Sequence, residues 1–308
     1  VPSGRFEVPP LLDGERADKV VAALAGVSRS LARRLVETGG VTIDGAAVAA
    51  RRAVAAGQVV EVALPAEAPG LEPEPVPFVV RYEDAHLAVV DKPSGVVVHP
   101  GSGRVRGTLA AGILQRWPKV RGVGEEGRWG IVHRLDQDTS GLLVVALDAE
   151  AWRPLRRAMA RHLVERTYLA LVHGVPAAPT GTVEAPLGRH PRRRGRVQVD
   201  VAGRPARTHY RCLSTWRVPR VALLEVRLET GRTHQIRVHL ASIGHPVVAD
   251  PRYGRGDRLA PRVFLHAARL RFTHPVTGKE VLAESPLPED LQEALRSLGE
   301  PEGTGTGS

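Results

Sequence analysis

The sequence predicts an α+β protein, with a large domain on a mixed, mainly antiparallel sheet preceded by a small basic unit of helices and a hairpin. Three observations predict this. Beyond Phe78 strand-like runs outnumber helical ones, and no regular strand–helix–strand alternation marks a doubly wound sheet. Leu224, Val226 and Leu228 alternate with Glu225, Arg227 and Glu229, the period-two pattern of a half-buried strand. Pro65, Pro69, Pro73, Pro75 and Pro77, with Glu67, Glu72 and Glu74 between them, form an extended segment that cannot build a core, so the 308 residues divide in two.

The elements follow in order. Ser28 is a candidate N-cap for a helix over Arg29–Thr38, which Gly39-Gly40 ends. Leu31 and Leu35 share one face of that helix and Arg29 and Arg33 another, with Arg34 beside them. Val41-Thr42-Ile43 alternates like a strand, Asp44-Gly45 is a hairpin turn, and Val59–Val62 closes the unit. In the large domain, Leu87–Val90 reads as a buried strand leading into the loop Asp91–Gly95. Leu142–Ala146 is another strand, Ala151–Leu163 a helix with Arg157 and Arg161 on one side, and Thr167–Val172 a strand. Thr233–Ser242 fits a helix with Ile236, Leu240 and Ile243 as its apolar stripe and Arg237 on a different face. The expected division is 10–66 for the basic unit, 67–77 for the linker, 78–300 for the large domain and 301–308 for a disordered tail.

Hydrophobic residues make up 43% of the chain, enough for a substantial core. The formal net charge is +10 and the pI about 10.6. Lysine occurs only at 19, 92, 119 and 279, so the excess is almost wholly arginine. Arginine bonds phosphate in two places and stacks on bases, which favours a polyanionic partner. Codon bias in a GC-rich genome also raises the arginine-to-lysine ratio, but it does not account for the net charge. Cys212 is single and cannot form an internal disulfide; its neighbours place it in a strand core. No apolar run approaches the ~18 residues of a membrane span and no signal peptide is visible, so a reduced, cytoplasmic location is expected. His234 and His239 are five apart without a Cys or acidic cluster beside them, so no metal site is expected and packing or RNA contact is the reading for both.

The stretch richest in chemistry is His133-Arg134-Leu135-Asp136-Gln137-Asp138-Thr139-Ser140-Gly141. It places a carboxylate on a loop before the apolar run Leu142–Ala146, two residues after an arginine. A carboxylate beside a fixed positive charge stays ionised and can act as nucleophile or base. Two plainer readings compete: Asp-x-x-Ser-Gly is turn chemistry, and Arg-x-Asp is commonly a structural ion pair.

This motif resembles the catalytic segment of the RluA/RluD family of ribosomal large-subunit pseudouridine synthases. Three further stretches resemble the same family in the same order. They are Asp91–Pro100, Arg166–Val172 and Gly231–Leu240, the last followed by Gly244-His245-Pro246 and Asp250; Leu265-His266-Ala267 with His274-Pro275 fits the closing segment. The basic unit resembles the S4-like αL RNA-binding fold. The resemblance implies a large domain of the pseudouridine synthase type and no cofactor. It also implies the residue roles. Asp136 is the catalytic aspartate, Arg134 wedges beside a flipped nucleotide, and Tyr168 packs against the uracil. Arg237 pairs with Asp136, and Arg16, Arg29, Arg33 and Arg34 face RNA. Arg166 stands where many relatives carry Lys. The basic loop His190–Arg196, with Arg192, Arg193 and Arg194, is expected to touch RNA phosphates.

The function this resemblance implies is isomerisation of specific uridines in 23S ribosomal RNA by a monomer acting on the RNA or on a pre-ribosomal particle. The carboxylate can attack the anomeric carbon or remove a ribose proton; the residues do not choose. Two other functions remain open at this point: a non-enzymatic RNA-binding or ribosome-assembly factor, and a synthase acting on transfer RNA.

Overall fold

A computed structural model describes residues 4–27, 29–63, 71–101, 106–125, 127–193 and 195–304. The proposed N-cap Ser28 and Arg194 of the basic loop lie outside them. The chain forms two compact units, Val1–Gly70 and Leu71–Ser308.

The first unit contains β1 (Gly4–Glu7), α1 (Ala17–Ala25), α2 (Arg29–Glu37), β2 (Val41–Ile43), β3 (Ala46–Ala47) and β4 (Val59–Val62). The sheet runs β1-β4-β2-β3, antiparallel throughout. β1 extends the unit before residue 10, the expected start, because Gly4–Glu7 pairs with Val59–Val62. The β2–β3 hairpin turns on Asp44 (φ 51°) and Gly45 (φ 75°), the double left-handed turn that matches strand twist. Val20, Val21, Ala32 and Leu35 pack against Val41, Ile43, Val60 and Val62 as the core.

The second unit begins with β5 (Val79–Glu83), β6 (Leu87–Lys92), α3 (Leu109–Arg116), β7 (Ser140–Ala146), α4 (Ala149–Ala160) and β8 (Glu165–His173). It continues through β9 (Thr180–Glu184), β10 (Leu187–Arg189), β11 (Val197–Val199), β12 (Arg207–Trp216), β13 (Val221–Leu228) and α5 (Gln235–Ser242). β14 (Leu265–Thr273), β15 (Glu280–Glu284), α6 (Glu289–Ser297) and β16 (Gly303–Thr304) complete it. Ten strands form one sheet with the path β16-β12-β13-β8-β14-β7-β6-β5, to which β15 adds on β14 and β9 on β12. Only β7 and β14 run parallel among its described pairings, so the sheet is mixed and mainly antiparallel. β7 is buried at every position, which is why its Leu142–Ala146 stretch reads as an unbroken apolar run rather than an alternation.

Several boundaries differ from the sequence reading. α4 starts earlier because Asp148 caps it, accepting the Ala151 N–H at 2.8 Å, and it ends before Leu163, which is exposed. The described part of the linker, Leu71–Pro77, lies against the second unit. Leu71 and Phe78 pack on the main core, and the Glu74 N–H donates to Ala111 O at 3.3 Å. The tail is ordered further than expected: Gly303–Thr304 pairs with Thr215 and Ser214, and Trp216 Nε1 donates to Gly299 O at 2.9 Å.

Candidate active site

Asp136 lies on the loop that enters β7, where the Thr139 N–H closes a turn onto Asp136 O at 3.2 Å. Gly141 is required just beyond it. Its φ is 113°, and a Cβ there would stand 2.3 Å from Ala267 O of β14. The loop after β6 clamps the Asp136 loop from beneath. Gly95 N–H donates to Gln137 O at 2.8 Å and Ser94 Oγ to Asp138 O at 2.9 Å. Lys92, wholly buried, donates from Nζ to the carbonyls of Pro93, Val96 and Gln137 at 2.8, 2.9 and 3.2 Å. Three acceptors match the three hydrogens of an ammonium. Burial nevertheless lowers the Lys92 pKa to about 7, against the pull of Asp136 and Asp138.

The cation that meets Asp136 is Arg237, not Arg134. Arg237 Nη1 is 3.3 Å from Asp136 Oδ2, whereas no ion pair joins Arg134 to Asp136 among the described residues. Arg134 is exposed on the same cavity. Arg237 is 3% exposed because α5 is buried along Gln235–Leu240, not amphipathic as its sequence suggested; Ile243, expected in the apolar stripe, is 38% exposed. Its polar groups are met individually. Gln235 Nε2 donates to Arg207 O and Thr208 Oγ1 at 2.9 and 3.0 Å, and His239 bonds Thr208 Oγ1 and Ala185 O, each at 2.9 Å. Asp250, with no exposed surface, holds Arg237 in a fork: Nε to Oδ2 at 2.7 Å and Nη2 to Oδ1 at 2.8 Å. Burial disfavours the Arg237 charge, but the bonds to Asp250 outweigh this and its pKa is raised. Asp250 is likewise pushed up by burial, and Arg237 overrides that to leave it lowered.

A second nitrogen faces Asp136. His234, at φ 55° ahead of α5, places Nε2 3.9 Å from Asp136 Oδ1 and meets Tyr253 Oη through Nδ1 at 2.7 Å. Burial, ahead of the opposing pull of Asp136, lowers its pKa.

These groups open onto a cavity of about 470 Å³, within the usual range for small-molecule sites. Among the described residues it is lined by one carboxylate, Asp136, and six arginines: 128, 134, 156, 166, 232 and 237. Tyr168 lines it and is 5% exposed; burial raises its phenol pKa, and its hydroxyl has no hydrogen bond among the described residues. Arg166 is fixed beneath it, with Nη2 within 3.2–3.4 Å of the carbonyls of Leu228, Glu229 and Thr230. His133 Nε2 accepts the Val144 N–H at 3.1 Å; burial, then Arg166, lowers its pKa to about 3.

The structure thus brings Asp136, Tyr168, Arg134 and Arg237 to one cavity. Sequence reasoning assigned no role to Asp250, Lys92 or Tyr253, and it read His234 as a packing or RNA-contact residue rather than as a neighbour of Asp136. Asp250 and Lys92 stood in motifs that matched the family, but no local spacing ties them to Arg237 or Gln137.

The proposed RNA contacts are distributed differently. Asp18, 2% exposed, gathers Arg16 (Nη2–Oδ2 2.7 Å) and Arg29 (Nη2–Oδ1 3.5 Å). Arg33 pairs with Glu37 at 2.7 Å, and Arg34 is exposed without an ion pair among the described residues. Arg192 and Arg193 are exposed at the tip of the β10–β11 hairpin, where their N–H groups donate to His190 Nδ1 at 3.2 and 3.1 Å.

Comparison with known proteins bears on this site. The RNA pseudouridylate synthase family profile matches residues 86–242, and the S4 domain profile matches residues 15–60. An RNA pseudouridine synthase of Chloroflexus aurantiacus is 48% identical over 94% of this chain and 92% of its own. The chain belongs to the RNA pseudouridine synthase family. A ribosomal large subunit pseudouridine synthase D of Nitrosomonas europaea is 44% identical over 94% of this chain and 86% of its own. The solved structure of human RNA pseudouridylate synthase domain containing 1 has a TM-score of 0.55 and 26% identity, covering 75% of this chain and 98% of that one. The synthase match contains Asp136, Tyr168 and Arg237, so the cavity belongs to the synthase domain.

Proposed function

We propose that this synthase converts specific uridines of large-subunit 23S ribosomal RNA to pseudouridine, with Asp136 as its catalytic carboxylate and the target base flipped from its stack. The observation that carries the reading is the cavity lining, in which Asp136 is the one carboxylate beside six arginines among the described residues. Such a site attracts the phosphates of a polyanion and still offers one anionic group to a ribose. The reaction breaks the N1–C1′ bond, turns the uracil and joins C5 to C1′; the C5 proton is lost and N1 gains one, so atoms balance without an oxidant. The carboxylate can open this sequence by attack on C1′ or by removal of a ribose proton.

The remaining roles follow from position. Arg134, exposed and lining the cavity, fills the gap that a departed base leaves. Tyr168 offers a ring face to the uracil and a hydroxyl without a protein partner among the described residues. Arg237 aims Asp136 and is itself held by Asp250. Arg34, the hairpin residues Arg192 and Arg193, and Arg194 next to them in the sequence bind RNA phosphates, as do Arg16, Arg29 and Arg33 where their acidic partners leave donors free.

The ribosomal assignment draws on relatives whose name is ribosomal large subunit pseudouridine synthase D. Pseudouridine mapping of 23S and transfer RNA transcripts, and of large-subunit precursor particles, incubated with the protein tests it. New sites in 23S RNA, free or in particles, are expected. Sites in transfer RNA alone would replace the substrate, and no site in any form would overturn the reading.

A further inference from the structure

Between β10 and β11 the chain forms an arginine-bearing hairpin, and one side chain connects that hairpin to the residues around Asp136. The hairpin packs on α5 through Leu187 and Val197 against Val238, with Tyr253 beside them. Tyr253 Oη accepts the Val197 N–H at 2.9 Å, and Arg196 lies 5.2 Å above the Tyr253 ring. Both contacts come from the hairpin. Tyr253 also meets both groups that face Asp136. Its hydroxyl bonds His234 Nδ1 at 2.7 Å, and the Arg237 guanidinium lies 5.3 Å from its ring centre. Next to it, Arg252 Nη1 donates to Gly195 O of the hairpin at 2.7 Å, while the N–H groups of Arg252 and Tyr253 donate to Asp250 Oδ1 at 2.8 and 3.0 Å.

The hydrogens can be assigned along this chain. Val197 N–H fills one acceptor site of Tyr253 Oη, and the phenol proton is then available for donation to His234 Nδ1. A neutral imidazole accepting at Nδ1 carries its proton on Nε2, the nitrogen that faces Asp136 Oδ1. That separation is 3.9 Å, about 1 Å beyond hydrogen-bond length. Only this last contact of the relay is longer than a hydrogen bond.

We propose that Tyr253 is a positioning residue that couples RNA engagement of the 187–199 hairpin to the placement of Asp136 through His234. This rests on the reading that Asp136 is the catalytic carboxylate and that the hairpin meets RNA. Phosphates drawn to Arg192 and Arg193 seat the hairpin. Val197 then carries Tyr253 and His234 toward Asp136, so both carboxylate oxygens are held, one by His234 and one by Arg237. An RNA that misses the hairpin leaves Asp136 with the Arg237 contact alone.

A double-mutant cycle on single-turnover pseudouridine formation tests this, with RNA binding measured in parallel on a 23S RNA fragment modified by the wild type. The four proteins are wild type, Tyr253→Phe, the Arg192→Ala/Arg193→Ala pair, and the combination. Tyr253→Phe keeps the ring and removes the hydroxyl; its rate constant should fall about tenfold with RNA affinity within about threefold. The hairpin pair should lose both affinity and rate. On the Tyr253→Phe background it should lose affinity only, because the link is already cut. Rate losses that multiply in the combination would overturn the coupling. Unchanged affinity and rate in the hairpin pair would remove its input and overturn it too. Should Tyr253→Phe fail to fold, His234→Asn replaces it in the same cycle with the same expectation. A wild type that modifies no RNA would instead sink the functional reading beneath the proposal, and that result is visible before any variant is made.

Discussion

Arg237 Nη1 stands 3.3 Å from Asp136 Oδ2 while Asp250 grips the other edge of the same guanidinium at 2.7 and 2.8 Å. The contact to Asp136 is the longer one, made from an arginine that has no freedom of its own. Asp250 thus orients Arg237, and Arg237 orients the carboxylate that faces the cavity.

Replacing Asp250 by Asn leaves a buried guanidinium with only the longer contact to Asp136 as counter-charge. Breaking a buried pair from one side costs about 3–5 kcal/mol. Asp250→Asn should therefore lose stability of that order in denaturant unfolding, and pseudouridine formation should fall more than RNA affinity does. A variant as stable as wild type would mean that Arg237 finds another partner.

The same pair predicts an acid limb. A carboxyl in the unfolded chain titrates near about 3.9, and Asp250 in the folded chain titrates lower. Between those values the unfolded state binds more protons, so stability falls as pH falls through them. The Asp250 contribution is complete above about pH 5 and fades below it. The stability gap between wild type and Asp250→Asn, measured from neutral to strongly acidic pH, should narrow only at the acid end. A gap that narrows between pH 7 and 5 would point to a different group.

Tyr168 combines a buried ring with a hydroxyl that has no partner among the described residues. Tyr168→Phe keeps the stacking face and should reduce kcat/KM by no more than about tenfold. Removing a stacking ring costs about 1–3 kcal/mol per base, so Tyr168→Leu should lose more than Tyr168→Phe. Equal losses in the two variants would assign the work to the hydroxyl.

The first unit has its own core, and Arg34 on α2 is exposed. Deleting residues 1–66 should weaken RNA binding and flatten its dependence on salt, by a slope of about 0.7–0.9 for each phosphate that is no longer neutralised. Affinity measured across a salt series reports this directly. An unchanged slope would show that this unit neutralises no phosphates.

What was legible in the sequence is local. The Asp44-Gly45 turn, the apolar run of β7 and the Thr-Ser-Gly approach to it all follow from neighbouring residues, and the structure places each as read. The charge that meets Asp136 was less accessible. Arg134 is two residues away in sequence but makes no ion pair with it among the described residues, while Arg237 is 101 residues on and meets it. Periodicity marks α5 as amphipathic because it counts polar side chains as solvated. Here Gln235, Arg237 and His239 are each satisfied inside by partners on other strands and loops. Lys92 escaped for the same reason, since its acceptor Gln137 O lies 45 residues along the chain. The family resemblance supplied the Arg237–Asp136 pairing that local spacing could not.

The most direct measurement compares wild type with Asp136→Asn on one modified RNA, recording pseudouridine formed at single turnover and RNA affinity on the same preparations. Asn keeps nearly the same volume and loses the charge. Asp136→Asn should give no detectable product, with RNA affinity within about tenfold of wild type. Product at a rate near that of wild type would contradict it and remove Asp136 from the chemistry.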